Sequence, residues 1–265
     1  MSWNNNIIDC HCHMLPGIDD GAGDIKQAME MACVAVDSGV TDILLTPHHN
    51  DGMYFNIRED IVSAVEAFQL VLKNANIKLR VHPGSECHVT PELPEHLQSG
   101  IACTYANRKQ AVLLELPKHS LPTGTEAIIE QIAYLGLMPV IAHPERNAVL
   151  CNEPAQMQDW YERGWKFQLT NQSCAGTFGD AIQDTCHDWL SRGWIHFIAS
   201  DAHRSNGRSP DMREGIEQIA KWFSEETAVL LSRDNPGRLI TGEPIVDMPP
   251  SHVRRKRRGF RFWRG

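Results

Sequence analysis

Histidines and carboxylates gather in short strings along this chain, and the densest lies near its start: Asp9-Cys10-His11-Cys12-His13. It follows the apolar pair Ile7-Ile8 and reads as the end of a strand. Alternation then sets Asp9, His11 and His13 on one face and Cys10 and Cys12 on the other. Two imidazoles beside a carboxylate are half a site for a divalent metal. Any one of these histidines alone is an ordinary surface or core residue; the company along the chain changes the reading. Thr46-Pro47-His48, Glu86, Glu115, His143-Pro144-Glu145-Arg146 and Ser200-Asp201-Ala202-His203 follow, and Asp19 and Asp20 sit in PGIDDGA. These donors are too many for one closed tetrahedral ion. Nitrogen and oxygen ligands without thiolate fit two or three catalytic ions such as manganese, iron or zinc. Neighbouring ions bridged by a carboxylate activate a shared water and clamp a phosphoryl displacement. Arg146, and Arg208 within HRSNGRSP, add guanidinium groups that hold phosphate oxygens in pairs.

The elements that must carry these residues show a rhythm. An amphipathic stretch, a glycine and a short apolar strand recur as DSG-VTDILLT (Gly39), YLG-LMPVIAH (Gly136), ERG-WKFQLT (Gly164) and SRG-WIHFIAS (Gly193). Glycine just past a helix closes it in the left-handed conformation. Helix then strand, repeated, predicts parallel strands with helical crossovers. Further strands are expected at Ile7–Cys12, Leu79–Glu86 and Ala111–Leu116. About seven strands in one domain predict a closed or nearly closed, TIM-like β/α barrel, with a doubly wound open sheet as the alternative. In a parallel barrel the polar residues ending those strands share one mouth, where active sites form.

Bulk properties narrow the class. A chain of 265 residues, 42% hydrophobic and 22% charged, suits one soluble globular domain. It holds no apolar run long enough to span a bilayer, and the polar start does not read as a signal peptide. The eight cysteines are scattered, which predicts reduced thiols and a cytoplasmic location. Net charge is −8, yet Arg254, Arg255, Lys256, Arg257, Arg258, Arg261 and Arg264 crowd the last fifteen residues; removing those seven positive charges leaves about −15 for the body. Such a body excludes a nucleic-acid groove. Residues 1–245 are therefore expected to form the barrel and 246–265 a basic, flexible tail. Its cations and the aromatics Phe260, Phe262 and Trp263 suit either a solvated tail or peripheral contact with an anionic membrane. The remaining histidines read as non-ligands, His49 being the ambiguous one. Cys186 and Arg192 have the C-x5-R spacing of thiol phosphatases, but HDWLS between them lacks glycine and reads as helix, so that match is rejected.

Taken together, DCHCHMLPGIDDGA, TPHH, PGSEC, LLELP, IAHPERN and IASDAH resemble the polymerase-and-histidinol-phosphatase (PHP) superfamily. They are most similar to its bacterial protein-tyrosine phosphatases of capsule and exopolysaccharide biosynthesis, from about Ile7 to Thr241. The resemblance implies a distorted (β/α)7 barrel with three divalent ions, often manganese. By it, His11, His13, Glu86 and Asp201 would hold the first ion. Glu86, Glu115 and His143 would hold the second, and Asp20, His48 and His203 the third. Arg146 and Arg208 match the phosphate-binding arginines, and Asp201 is a candidate proton relay. Asp20 resembles the tyrosine-phosphatase branch, since histidinol phosphatases tend to place histidine there; a small-molecule phosphatase is the alternative. The implied substrate is a phosphotyrosine protein, the tail of a membrane-associated tyrosine autokinase. Oligomeric state stays open.

Overall fold

The structure, a computed structural model, describes residues 6–250. Among them nine strands run β1 (Ile7–Cys12), β2 (Val40–Leu45), β3 (His48–His49), β4 (Arg80–Pro83), β5 (Glu86–His88), β6 (Ala111–Glu115), β7 (Met138–Ala142), β8 (Lys166–Thr170) and β9 (Phe197–Ala199). They form two sheets, β1-β2-β4 and β3-β5-β6-β7-β8-β9, and every pairing is parallel. The four glycines of the repeating pattern are left-handed, with φ of 92°, 80°, 87° and 76° at Gly39, Gly136, Gly164 and Gly193. Each ends a helix and releases the chain into or towards the next strand.

The strand expected at Leu79–Glu86 is instead two short pieces, β4 and β5, and β2 likewise stops before β3. Pro47 and Pro83 lack the N–H a ladder needs. At Gly84 the turning chain comes so close that a Cβ would lie 3.3 Å from Thr46 Cγ2 and 3.4 Å from the Leu45 carbonyl. Single hydrogen bonds carry the ladder across the breaks. Thr46 N donates to Cys12 O (3.0 Å) and Glu86 N to Pro47 O (3.1 Å). Beyond β9, Asp201 N donates to His11 O (2.8 Å), His13 N donates to Ala202 O (2.9 Å), and a parallel bridge joins Cys12 to Ala202.

Packing is sorted by strand face. One face carries Ile43, Leu45, Val112, Leu114, Ile141, Phe167, Leu169 and Ile198 into the large core beneath the helices. Helix Ile25–Asp37, begun by Asp24 accepting from Gln27 N, lays Ala28, Met31, Ala32 and Ala35 into that core. Trp160, Trp189 and Phe167 are fully buried, each worth about 1.5–3 kcal/mol in transfer. The other face holds a smaller cluster of Cys10, Leu44, Leu113, Val140, Phe197 and Ala199, plugged by Tyr105 and Leu239.

That sorting corrects the expected alternation in β1. Cys10 packs into the small cluster and Cys12 into the large one, because the β1–β2 register slips between Asp9 and Cys12. Such a bulge re-aims side chains. His11 and His13 still meet, whereas Asp9 turns to Ser200.

The expected tail begins at 246, and its first residues lie on the body. Asn235 Nδ2 donates to Val246 O (2.8 Å), Val246 N donates to Asn235 Oδ1 (3.0 Å), and Met248 is buried. The basic run, in residues 251–265, and His252 with it, lies outside the described residues. Among the described residues no helix is long and apolar enough to cross a membrane. Cys186 sits within helix Asp180–Ser191, as its rejection as a phosphate-loop nucleophile requires, and Arg192 Nε pairs with Asp188 at 2.8 Å.

Candidate active site

Seven of the nine candidate ligands arrive at the carboxyl ends of strands or in the loops just after them, and the other two open the short strands that continue past the ends of β2 and β4. His11 lies at the end of β1 and His13 just after it, His48 opens β3, Glu86 opens β5, and Glu115 ends β6. His143 follows β7, Asp201 and His203 follow β9, and Asp20 lies on the loop after β1. His143 and Asp201 hold positive φ (32° and 50°), a conformation that non-glycine residues keep only where the surroundings impose it. For Asp201 the imposing contacts are its own N–H on His11 O and the neighbouring Ser200. Ser200 N donates to Asp9 Oδ1 (3.0 Å) and its hydroxyl to Asp9 Oδ2 (2.5 Å).

Side chains bring three overlapping groups within ligand reach: His11, His13, Glu86 and Asp201; His13, Asp20, His48 and His203; and His48, Glu86 and Glu115. Glu86 is the hub. Its Oε2 lies 3.3 Å from His11 Nε2, His13 Nε2 and His48 Nδ1, and its Oε1 lies 2.9 Å from His143 Nε2. Glu115 Oε2 stands 3.7 Å from His48 Nδ1 and 3.5 Å from His88 Nδ1. Asp20 Oδ1 faces His203 Nε2 at 3.1 Å and His48 Nε2 at 3.4 Å. Among these, His11, His13, Glu86 and Asp201 are buried, while the Asp20 side chain is 48% exposed and marks the open side.

Tautomers decide whether this set suits metal. His11 Nδ1 lies 2.9 Å from Gln168 Oε1, and His13 Nδ1 lies 2.7 Å from Asp19 Oδ2. An amide oxygen and a carboxylate accept, so in each neutral ring Nδ1 carries the hydrogen and Nε2 a lone pair. Those two Nε2 atoms are 3.1 Å apart. Glu86 Oε2 and Asp201 Oδ1 lie 3.3–3.5 Å from both. Four lone pairs so placed repel unless positive charge sits among them. Their spacing matches the edge of a polyhedron around a cation with bonds of about 2.1 Å, which is about 3.0–3.4 Å. His48 Nδ1 is buried without a hydrogen-bond partner among the described residues. The donor set therefore fits divalent metal.

The electrostatics point the same way. Burial alone would push Glu86 up, but His11, His13 and His143 hold it well below the usual carboxylate range. Burial likewise opposes charge on His13 and His48, yet Asp19 and Glu86 raise His13, while Asp20 and Glu86 bring His48 to about 9. Carboxylates drawn down and imidazoles drawn up describe a pocket that collects positive charge. Beside it stand the two arginines. Arg146 Nη1 and Arg208 Nη2 (2.5 Å) both donate to Asp201 Oδ2.

Gln168 and Arg204 are not among the residues the sequence marks as functional; Asp19 is named there beside Asp20 as a donor in the loop, but not among the nine ligands. Arg204 Nη1 donates to Asp20 O (2.7 Å), Gly21 O and His203 O (2.7 Å), tying the two loops of the open side together. Asp19 had a usable signal, its place beside Asp20 in a ligand loop; Gln168, inside a strand of ordinary composition, had none. His88 stands nearer the cluster than its non-ligand reading requires. His49 turns away, its Nε2 3.1 Å from His96 Nδ1 and its Nδ1 on Asn56 O.

A parallel α/β domain that delivers imidazoles, carboxylates and paired arginines to the carboxyl ends of its strands has the build of a metal-dependent hydrolase. Comparison narrows the class. The model of the capsular polysaccharide synthesis family CpsB/CapC matches residues 7–241, and the chain belongs to that family. It is 34% identical to the tyrosine-protein phosphatase YwqE of Bacillus subtilis, over 95% of this chain and 98% of that protein. It is 26% identical to the tyrosine-protein phosphatase CpsB of Streptococcus pneumoniae, over 90% and 100%. Crystal structures of YwqE and CpsB are described as unique metal-dependent tyrosine phosphatases. One of these chains superposes with a TM-score of 0.87 at 34% identity, covering 94% of this chain and 100% of its own. A β-aspartyl dipeptidase from Fervidobacterium islandicum shares the fold alone, with a TM-score of 0.55 at 16% identity over 88% of this chain and 72% of its own.

Proposed function

We propose that this chain is a metal-dependent protein-tyrosine phosphatase, and one observation carries the reading. His11 Nε2 and His13 Nε2 lie 3.1 Å apart, each within 3.5 Å of both Glu86 Oε2 and Asp201 Oδ1, beside two guanidiniums anchored on Asp201. Similarity to tyrosine-protein phosphatases over nearly the whole chain supports it. The proposed centre takes three divalent ions, manganese by preference and iron or zinc as alternatives. His11, His13, Glu86 and Asp201 would hold one; Glu86, Glu115 and His143 a second; Asp20, His48 and His203 a third. When bound, such ions supply a nucleophile from water at neutral pH and neutralise charge on phosphoryl oxygens.

The chain's own groups do the rest. Arg146 and Arg208 each commit an N–H to Asp201 Oδ2 and keep others for the phosphate. Burial notwithstanding, Asp201 is held well below the usual carboxylate range by His11, His143 and Arg208. So it orients the guanidiniums better than it relays a proton. In the reaction a water oxygen bonds to phosphorus, the phosphorus–tyrosyl oxygen bond breaks, and the phenolate takes up a proton. Phenol has a pKa of about 10, which makes only a modest demand for a general acid.

We assign the substrate as the phosphorylated tail of a membrane-associated tyrosine autokinase in capsule export, a reading supported by the family's link to capsular polysaccharide synthesis. The finer architecture is a distorted (β/α)7 barrel over residues 1–245, with a basic tail from 246. The β1-to-Ala202 hydrogen bonds and the small core shared by strands from both sheets support the barrel. The eight cysteines, all free, suit the cytoplasmic side of the membrane. A panel of phosphotyrosine peptides and phosphorylated metabolites, with and without chelator, tests the function. Chelator-sensitive turnover that prefers the peptides is expected, with thiol-blocking reagents having little effect. Preference for a metabolite would move the chain to the small-molecule branch.

A further inference from the structure

Between β3 and helix Arg58–Asn74 the chain makes a tight hairpin beside the open side of the site. His49 and Phe55 form an antiparallel bridge, and Asn50 N donates to Tyr54 O at 2.9 Å. Asp51 Oδ1 accepts from Met53 N (2.8 Å) and Tyr54 N (2.7 Å), an Asx turn completed by Gly52 at φ 95°. Both legs are pinned. Asn50 Nδ2 reaches Thr90 Oγ1 (3.1 Å), and Asn56 Nδ2 donates to Ile18 O and His48 O, both at 3.0 Å. A loop held at so many points keeps its tip in place.

What the tip presents is apolar and aromatic. Met53 is 83% and Phe55 55% exposed, and Tyr54 is half-buried between them. The Tyr54 ring lies nearly parallel to that of the candidate ligand His48, at 12° and 6.3 Å between centroids. His48 in turn faces Asp20, the most exposed member of the cluster. Because His11, His13, Glu86 and Asp201 are buried, a protein substrate has to approach the cluster from that open side.

We propose that Tyr54 determines specificity for aryl over alkyl phosphate esters, its ring forming the platform on which the substrate's phenyl group rests. This rests on the phosphatase reading above and deepens it. Aromatic pairs gain from offset stacking beyond simple burial, and a tyrosine loses little freedom in providing one. An alkyl ester has no π face to offer and gains nothing there. The competing role, in which Tyr54 merely props the His48 imidazole, makes different predictions.

The test compares the manganese-loaded full chain with Tyr54→Ala and Tyr54→Phe, using phenylphosphonate and methylphosphonate as non-hydrolysable competitors of phenyl phosphate hydrolysis. Tyr54→Ala should weaken phenylphosphonate roughly three- to tenfold and raise the KM for phenyl phosphate by a similar factor. Inhibition by methylphosphonate and the metal content should stay as in the wild type, and Tyr54→Phe should restore phenylphosphonate binding. Equal weakening of both phosphonates, or loss of metal, would reduce Tyr54 to a prop. No change in either would remove the platform. A wild-type chain that hydrolyses no phenyl phosphate would instead sink the phosphatase reading, and the platform with it.

Discussion

At the amino ends of the strands, Asp42 accepts from Arg80 Nε and Nη2, both at 2.6 Å, and from His82 Nε2 at 3.0 Å. Nearby in kind, Asp247 accepts from Lys166 Nζ (2.7 Å) and His196 Nε2 (3.0 Å). At the carboxyl ends, histidine and carboxylate meet again, but His11 and His13 spend their Nδ1 hydrogens outward on Gln168 and Asp19 and aim bare nitrogens at each other. The first arrangement is closed: each acid has its donors, and nothing further is required. The second is open: the arginines take up Asp201 Oδ2, but His11 Nε2, His13 Nε2, Glu86 Oε2 and Asp201 Oδ1 face one another as acceptors with no donor between them. Residue type alone does not separate a salt bridge from a metal site; the direction of the hydrogens does.

The difference can be broken most severely at the hub. Glu86→Ala, like His11→Ala, should reduce phosphotyrosine turnover to background and lower the bound metal per chain, read by elemental analysis beside a steady-state assay. A variant that keeps full activity would refute the site. Next come the residues that turn the hydrogens outward. Gln168→Leu and Asp19→Asn should weaken metal binding by about 10–100-fold while leaving the donor atoms themselves in place, seen as a shift in the manganese needed for half-maximal activity.

The closed end should respond differently. Asp42→Ala strands the partners of a carboxylate whose side chain is 4% exposed, and should cost about 1–3 kcal/mol in denaturant unfolding with metal affinity unchanged. The smallest expected effect concerns pH. Burial, with Lys166 beside it, lowers His196 to about 3 despite Asp247, so the folded ring stays neutral while the unfolded one gains a proton below the ordinary histidine value of 6.5. Stability is therefore whole above about pH 6.5 and is lost as pH falls towards about 3. In the metal-free chain, His196→Gln should flatten the fall of melting temperature between about pH 7 and about 5. An unchanged slope would show that His196 carries no such linkage.

Much of this was legible in the sequence because periodicity and glycine placement report local structure directly. The four helix–glycine–strand repeats lie where the pattern sets them, and the nine candidate ligands converge because parallel strands share their carboxyl ends. Alternation failed at Cys10 and Cys12, since a bulge is a property of two strands in register and leaves no mark on one. The split of Leu79–Glu86 into β4 and β5 could have been read from Pro83-Gly84. Gln168 was invisible, because its role comes from a partner 157 residues away. Arg204 acts through carbonyls of a loop 183 and 184 residues distant, which composition cannot announce.

The central claim is that these acceptors surround cations, and the number of ions held per chain tests it most directly. Manganese titrated into the chelator-stripped full chain, followed by dialysis and elemental analysis, should give close to three tightly held ions, with phosphotyrosine hydrolysis rising in step. A chain that retains no ion, yet hydrolyses phosphotyrosine at the same rate, would contradict the account.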